Sequence, residues 1–527
     1  MAAIERDSHR NGANEAMSLQ PKSPMGKPVW QHSKRSGGEI AARIVAFCAG
    51  RDVTAVPACD EALLLEDLAA NEASFLALAQ AGVFTGAEAQ ELASALVTLR
   101  ERILSGEFKL DPQLEDVHIN IESVLRDEAG EVSGKLHSGR SRNDQVACDL
   151  RQWHRRKILD HLASLLETVS VFLSKAEREV ETVMPGFSHH QRAFATTWGH
   201  QIASYAQAWI RDLERGLGVL ERVNRSPLGA AAGFGTSWPL DRTLLADLLG
   251  FNGIVENSLD AVSSRLEVEQ DVAAWLALWM THCSTVAQDL ILYSTEEFGF
   301  IRLAVETTTG SSIMPQKRNP DFAEVVKGKT SLVHGALAAL LSLGKGQPSG
   351  YHRDSQCSKP LGQDLWREVI SVPDVFRMVF ENLAADRARM RKAAQGGFLD
   401  AAEWADAIAQ DSGLPFRDVY SAVGVAVDRC RKKGSLDRAT VNGALREAGL
   451  SYQVKPDLAK NLGSPLGLVA RRNTLGSPNP ESVRTHLAQM RVQLGKLEKQ
   501  VRGFAARILR KDKKRVERIR ELADGSL

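Results

Sequence analysis

The chain has 527 residues, 43% of them hydrophobic and 25% charged, with 66 Lys+Arg against 65 Asp+Glu and a formal net charge of +1. This globular composition has room for two to four domain-sized units, and its charge balance gives no global reason to bind nucleic acid or an anionic membrane. The longest apolar run, Val272 to Met280, falls far short of the roughly 20 residues that cross a bilayer, and the six cysteines at 48, 59, 148, 283, 357 and 430 are too dispersed for a disulfide framework or a zinc knuckle, which points to a reducing cytoplasm.

Residues 1–36 carry charges and glycine without an apolar h-region, so they read as a disordered extension rather than a signal peptide. Alternating β-branched runs are scarce afterwards and apolar residues recur at helical spacing through most of the chain, so helix dominates. Residues 37–138 read as an N-terminal helical domain, and 139–393 as a central helical bundle. There Ile158, Leu162, Leu165, Val169 and Phe172 lie on one helical stripe that must be buried. The segment Ile254 to Phe298 lacks Gly and Pro, which predicts one long helix or two nearly collinear ones, with Trp275, Leu278 and Trp279 in the bundle core. A glycine pair at 396 and 397 opens a C-terminal helical domain over 394–494. The tail, 495–527, holds Arg510, Lys511, Lys513, Lys514 and Arg515; it reads as a solvated helix with a frayed end, or as a contact for an anionic partner or another subunit.

The richest segment is GSSIMPQKRNP, residues 310 to 320. Gly310 permits unusual backbone angles, Ser311 and Ser312 bring hydroxyls, and Lys317 with Asn319 bring cationic and amide donors. Asn319 followed by Pro320 predicts a helix start, with Asn as N-cap and Pro at the first helical position. A helix N-terminus beside a lysine suits a carboxylate.

This string resembles the signature of the fumarase/aspartase superfamily. KLHSGRSRNDQVACDLR (135 to 151), LEDVH (114 to 118), MPGFSHHQRA (184 to 193), NSLDAVS (257 to 263) and YHRDSQCSK (351 to 359) resemble segments of its argininosuccinate lyases. The resemblance runs from about residue 40 to about 494. It implies an all-α fold with a central bundle of long helices, a homotetramer whose active sites each draw on three subunits, no metal or organic cofactor, and a small substrate carrying a dicarboxylate. The reaction it implies removes a proton from the carbon next to a carboxylate and expels an amine, so the charge that develops on that carboxylate needs fixed donors.

Position by position, the resemblance makes Ser311 the base, activated by a mobile loop that closes over substrate. Lys317 and Asn319 become donors to the developing charge, His189 the group serving the departing amine, and Glu324 the acid that orients that histidine. It makes Ser141, Arg142, Asn143, Ser188, Tyr351, Gln356, Lys359 and His118 substrate-site residues; Ser188 stands where threonine is usual, and His190 where an apolar residue is usual. Several positions depart from the family pattern. Gln-Glu-Asp-Lys reads Gln356, Cys357, Ser358, Lys359, so two acids are missing where the amine end of the substrate lies, and the asparagine after Tyr351 is His352. Arg-Ala-Gln-Pro reads Arg192, Ala193, Phe194, Ala195, and Ser-Asp-Arg-Asp reads Ser263, Ser264, Arg265, Leu266. No Trp-Gly-Gly-Arg-Phe is found near Trp30. The elimination machinery is therefore expected intact and the leaving-group pocket altered. Three readings stay open: cleavage of argininosuccinate, release of fumarate from another N-substituted aspartate such as an aminopolycarboxylate, and a silent structural protein of the lens-crystallin kind.

Overall fold

A computed structural model describes residues 58–111, 114 and 116–526; the extension expected over 1–36, and Trp30 with it, lies outside them. Three helices form the first layer: α1 (Leu64–Gln80), α2 (Gly86–Leu104) and α3 (Val117–Ala129). A capping box starts α2, where the Thr85 hydroxyl accepts from the Glu88 N–H while the Glu88 carboxylate accepts from the Thr85 N–H.

The bundle follows. Helix α4 (Arg142–Arg178) leads into a hairpin, β1 (Val183–Ser188) and β2 (Gln191–Thr197), and α5 (Trp198–Val223) returns beside α4. Next come α6 (Arg265–Ser294), β3 (Ile301–Arg302), β4 (Thr309–Gly310), β5 (Arg318–Asn319), α7 (Asp321–Leu343), α8 (Ser358–Val369), α9 (Val372–Asn382) and β6 (Ala384–Ala385). The expected stripe is the buried face of α4, with Ile158, Leu162, Leu165, Val169 and Phe172 all free of solvent contact. Gly216 on α5 is fixed by close approach, because a Cβ there would meet the Trp275 ring at 2.4 Å. Two helices, the short Ser258–Ser263 and α6, occupy the segment without Gly or Pro. Trp275 and Trp279 are buried as expected, whereas Leu278 is 40% exposed, because it lies on the face of α6 that the chain itself leaves uncovered.

Helix α7 runs antiparallel to α6: the Lys327 ammonium meets Gln288, the Thr330 hydroxyl donates to the Met280 carbonyl, and Gln270 donates to the Leu340 carbonyl at 2.9 Å. The N-terminus of α7 therefore lies by the C-terminus of α6, at the end of the bundle where the β1–β2 hairpin emerges.

A second buried cluster gathers Trp404, Ala405 and Ile408 of α10 (Ala401–Ser412), Val419 and Val423 of α11 (Phe416–Arg429), and Val441 and Leu445 of α12 (Arg438–Glu447). The last helix, α13 (Pro480–Ala523), runs through the boundary expected at 494/495 and packs Val483, Leu487, Met490, Leu497, Val501 and Ile519 into the bundle core. The tail is thus a docked helix rather than a solvated one. Arg515, one of its basic cluster, is 2% exposed and donates to Glu72 Oε2 at 3.0 Å and to the Leu248 carbonyl at 3.1 Å.

Candidate active site

The segment 309–319 folds as a small closed loop. Thr309 pairs with Asn319 and Gly310 with Arg318, so β4 and β5 clamp the base of the loop that carries Ser311 and Lys317. The Thr309 hydroxyl also bonds to Asp321 in the first turn of α7. Within the loop, Ser311 Oγ accepts the N–H groups of Met314 at 3.1 Å and Ile313 at 3.3 Å. Two N–H dipoles on one oxygen favour negative charge there, which is what a serine needs to act as a base. The helix-start expectation is corrected by one residue: Pro320 is the N-cap and Asp321 the first helical residue, because the Asn319 backbone is committed to the ladder. Lys317 is exposed and Asn319 partly so, and among the described residues neither side chain makes a hydrogen bond or ion pair.

His189 and His190 form the two-residue turn of the hairpin, both at positive φ (53° and 60°), between the paired Ser188 and Gln191. Two consecutive left-handed residues are the geometry of a type I′ turn, usually filled by Asn-Gly. Histidine tolerates that region better than most residues, but a pair of them is costly, and such outliers are a mark of functional sites. The turn leaves Ser188, His189 and His190 exposed. Glu324 is also exposed on the first turns of α7, and no contact between it and His189 exists among the described residues, so one chain does not form the expected His–Glu pair.

The remaining expected residues collect at the other end of the bundle. Ser141 is the N-cap of α4, its Oγ accepting the Asn143 N–H, and Asp144 completes a capping box. Asp144 Oδ2 accepts the N–H groups of Gly229 and Ala231 at 2.9 and 2.8 Å, which ties the start of α4 to the loop after α5. Arg142 reaches Asp116 at 2.7 Å. Lys359 is 8% exposed and pairs with Asp60 at 2.6 Å, while Asp60 also takes the Val117 N–H. Tyr351 is half-buried under the Arg265 guanidinium, 5.4 Å from its ring centroid. Gln356 is exposed and accepts from Arg353, and Cys357 beside it is exposed, whereas Ser358 is wholly buried.

His118 does not face solvent. It is 1% exposed, with Nδ1 at 2.6 Å from Asp67 Oδ1 and 3.8 Å from Asp149 Oδ2. Burial works to raise Asp67, but the His118 imidazole and the Arg140 guanidinium outweigh it and hold that carboxyl below the ordinary range. Burial, then the Asp67 charge, push Asp149 well above it, so of the two carboxyls Asp149 is the one drawn toward its neutral form. The three side chains offer ligand atoms within 4.8 Å of one another. His118 Nδ1 is already bonded to Asp67, and Arg140, buried and bonded to Asn71 Oδ1, supplies positive charge that disfavours a cation there. This arrangement fits proton sharing better than metal binding.

The sequence reading missed Asp60, Asp67, Asn71, Arg140 and Asp149. The only sign in the sequence was their density: Asp67 and Asn71 are one turn apart on a helix otherwise rich in apolar residues, and a buried face is the one place where such groups need partners.

Ser311, Lys317, Asn319, Glu324, Ser188 and His189 thus stand at one end of the chain's bundle, and His118, Ser141, Arg142, Asn143, Tyr351, Gln356 and Lys359 at the other. At 1.5 Å per residue, the 37 residues of α4 between them span about 55 Å.

Residues 58–335 match the family described as Lyase. The chain is 39% identical over 438 residues to an argininosuccinate lyase of Geobacillus thermodenitrificans, covering 83% of this chain and 94% of the relative. It is 41% identical over 440 residues to one of Alkalilimnicola ehrlichii, covering 82% and 92%. Among solved structures, EDDS lyase in complex with formate aligns with a TM-score of 0.83 at 25% identity, over 92% of this chain and 97% of that one. A fumarate lyase from a Mesorhizobium species aligns with a TM-score of 0.66 at 16% identity, over 88% and 100%, and shares the fold.

Proposed function

The chain belongs to the argininosuccinate lyases, a family of carbon–nitrogen lyases, and we propose that it cleaves argininosuccinate to fumarate and arginine by β-elimination. The observation that carries this reading is Ser311 Oγ with two backbone N–H groups aimed at it, inside a loop that also presents Lys317 and Asn319. In the proposed step, the Ser311 alkoxide takes the proton from the carbon beside a carboxylate, the electron pair forms the C=C bond of fumarate, and the C–N bond breaks. His189, oriented by Glu324, serves the proton that the leaving nitrogen acquires, and Lys317 and Asn319 stabilise the charge on the carboxylate at the transition state. Ser141, Arg142, Asn143, Ser188, Tyr351, Gln356 and Lys359 hold the substrate, and His118, buried against Asp67 of α1 and Asp149 of α4, steadies the helix that Ser141 caps.

We further propose a homotetramer with composite sites. Its support is the separation of the two residue groups by the length of α4, together with an outward stripe on α7 of Gly328, Ser331, Gly335, Ala338 and Ser342. A Cβ added at Gly328 or Gly335 would meet nothing within 4 Å, so another helix can approach closely there, and Leu332 and Leu341 flank the stripe at 59% and 55% exposure. No helix among the described residues is long and apolar enough to cross a membrane. A cytoplasmic location is proposed from the widely spaced cysteines, five of which are free among the described residues.

Exposed Cys357, where the family pattern has an acid, favours a second reading: a lyase acting on another N-substituted aspartate. Purified protein assayed for fumarate release from argininosuccinate and from a panel of N-substituted aspartates decides. Turnover of argininosuccinate at about 10⁴–10⁸ M⁻¹s⁻¹ supports the first reading; fumarate from another member of the panel alone supports the second, and no fumarate from any of them rejects both.

A further inference from the structure

Position 358, one residue before Lys359, carries serine where the family pattern has aspartate. The Ser358 hydroxyl is buried and donates to Glu269 Oε1 at 2.8 Å. Glu269, on α6, has no exposed surface, and its Oε2 has no hydrogen-bond partner. A buried carboxylate is costly unless opposite charge answers it. Burial pushes the Glu269 carboxyl up, and two guanidinium groups work against that push in favour of its charge: Arg265, one turn earlier on the same helix, and Arg151, across on α4. Arg265 is itself 4% exposed, with Nε unpartnered, and its guanidinium stands over the Tyr351 ring. A continuous line of contacts and charge therefore runs from Ser358 through Glu269 and Arg265 to a residue of the substrate site.

We propose that Glu269 is a positioning residue for the amine end of that site, supplying from α6 the buried negative charge that position 358 lacks. This rests on the lyase reading above. The acid at 358 is relocated rather than lost: its charge comes from the neighbouring helix, and it holds Arg265 over Tyr351. Aspartate restored at 358 beside an intact Glu269 would bury two carboxylates in contact, with one hydroxyl fewer to satisfy them. Restoring the family residue alone is therefore harmful, and it becomes tolerable only when Glu269 is made neutral.

The test is a cycle of four full-length proteins: parent, Glu269→Gln, Ser358→Asp and the double variant. Each is assayed for kcat and KM with the N-substituted aspartate that the parent turns over, and each is melted without substrate. Each single variant is expected to raise KM about tenfold or more while kcat stays within about threefold, and the double variant to return KM to within about threefold of the parent. Ser358→Asp is expected to melt lower than the double variant. An unchanged KM in Glu269→Gln, or a double variant no better than Ser358→Asp in KM and in melting, overturns the inference. A parent that yields no fumarate defeats the lyase reading instead, and the melting comparison then still judges the Glu269–Ser358 pair.

Discussion

Ser141 caps the first turn of α4 and Ser188 closes the strand just beyond its last turn, so two residues expected on one substrate are separated by a 37-residue helix. A helix is too stiff to bring its own ends together. If both serines serve one site, they come from different copies of the chain. Mixing inactive Ser311→Ala subunits with inactive Asn143→Ala subunits, followed by dissociation and reassociation, should then restore part of the activity. Sites that pair the intact loop of one subunit with the intact α4 start of the other would be whole. Strict absence of recovery in mixed assemblies, or a fully active monomer in sedimentation, would reject composite sites.

Ser311→Ala should lower activity by about 10²–10⁴-fold, the scale of a lost general base. Assembly and melting should stay near the parent, because the loop is clamped at its base by β4 and β5 rather than by the Ser311 hydroxyl. Near-normal turnover would remove Ser311 from the mechanism.

How much was legible follows from which forces leave a local trace. The α4 stripe was readable because burial of one face imposes a period on the sequence, and the signature loop because its eleven-residue string resembles a family signature, which its composition alone would not have revealed. The one-residue error at Asn319 arose because pairing with Thr309 is a tertiary contact that outweighs a capping preference. Leu278 was misplaced because an uncovered face of α6 carries the same apolar period as a core face. The half-buried Asp60 and the buried Asp67 and Glu269 were hidden for a different reason: a carboxylate in a helical sequence looks solvated until the groups that answer it from other elements are placed beside it.

The two buried aspartates near His118 should respond unequally to neutralisation. Asp67 is the charged partner of a 2.6 Å bond, so Asp67→Asn should cost about 3–5 kcal/mol, the range for breaking a buried pair. Burial and the Asp67 charge draw Asp149 toward its neutral form, so Asp149→Asn should cost within about 1 kcal/mol. Denaturant unfolding of both variants checks this; a loss for Asp149→Asn as large as that for Asp67→Asn would overturn the charge assignment.

Acid should weaken the fold before most carboxylates titrate. His154 and His161 are buried, and burial draws both down to about 3 from an ordinary value of 6.5. Between those values the unfolded chain binds protons that the folded chain refuses, so stability falls as pH drops through that window, by about 1.4 kcal/mol per pH unit for each histidine. His161 sits edge-on among Trp275, Trp279 and Trp366 with neither ring nitrogen bonded. His161→Phe should keep those ring contacts and flatten the stability profile between pH 6 and pH 4 by about one histidine's share. Parallel profiles for parent and variant would show that His161 already binds a proton in the fold.

The basic tail offers a contrast between two residues that look alike in sequence. Lys514 is exposed, whereas its neighbour Arg515 is buried against Glu72, which Arg100 holds from the other side at 2.8 and 2.6 Å. Lys511 on the same helix reaches Asp247 at 2.5 Å, and Gln90 of α2 donates to the Ala523 carbonyl at 3.2 Å, so α13 is anchored along its last turns. Arg515→Ala removes a charge-assisted bond but leaves Glu72 its Arg100 partner, so the loss should be about 1.5–3 kcal/mol rather than that of a bare buried carboxylate. Lys514→Ala should change stability by no more than about 0.5 kcal/mol. Deletion after residue 494 should cost more than Arg515→Ala, because it also uncovers Val501 and Ile519, buried at 4% and 1% exposure. Chemical denaturation of the three variants separates a docked helix from a solvated one: if Arg515→Ala and Lys514→Ala unfold alike, the tail contributes charge and nothing to the core.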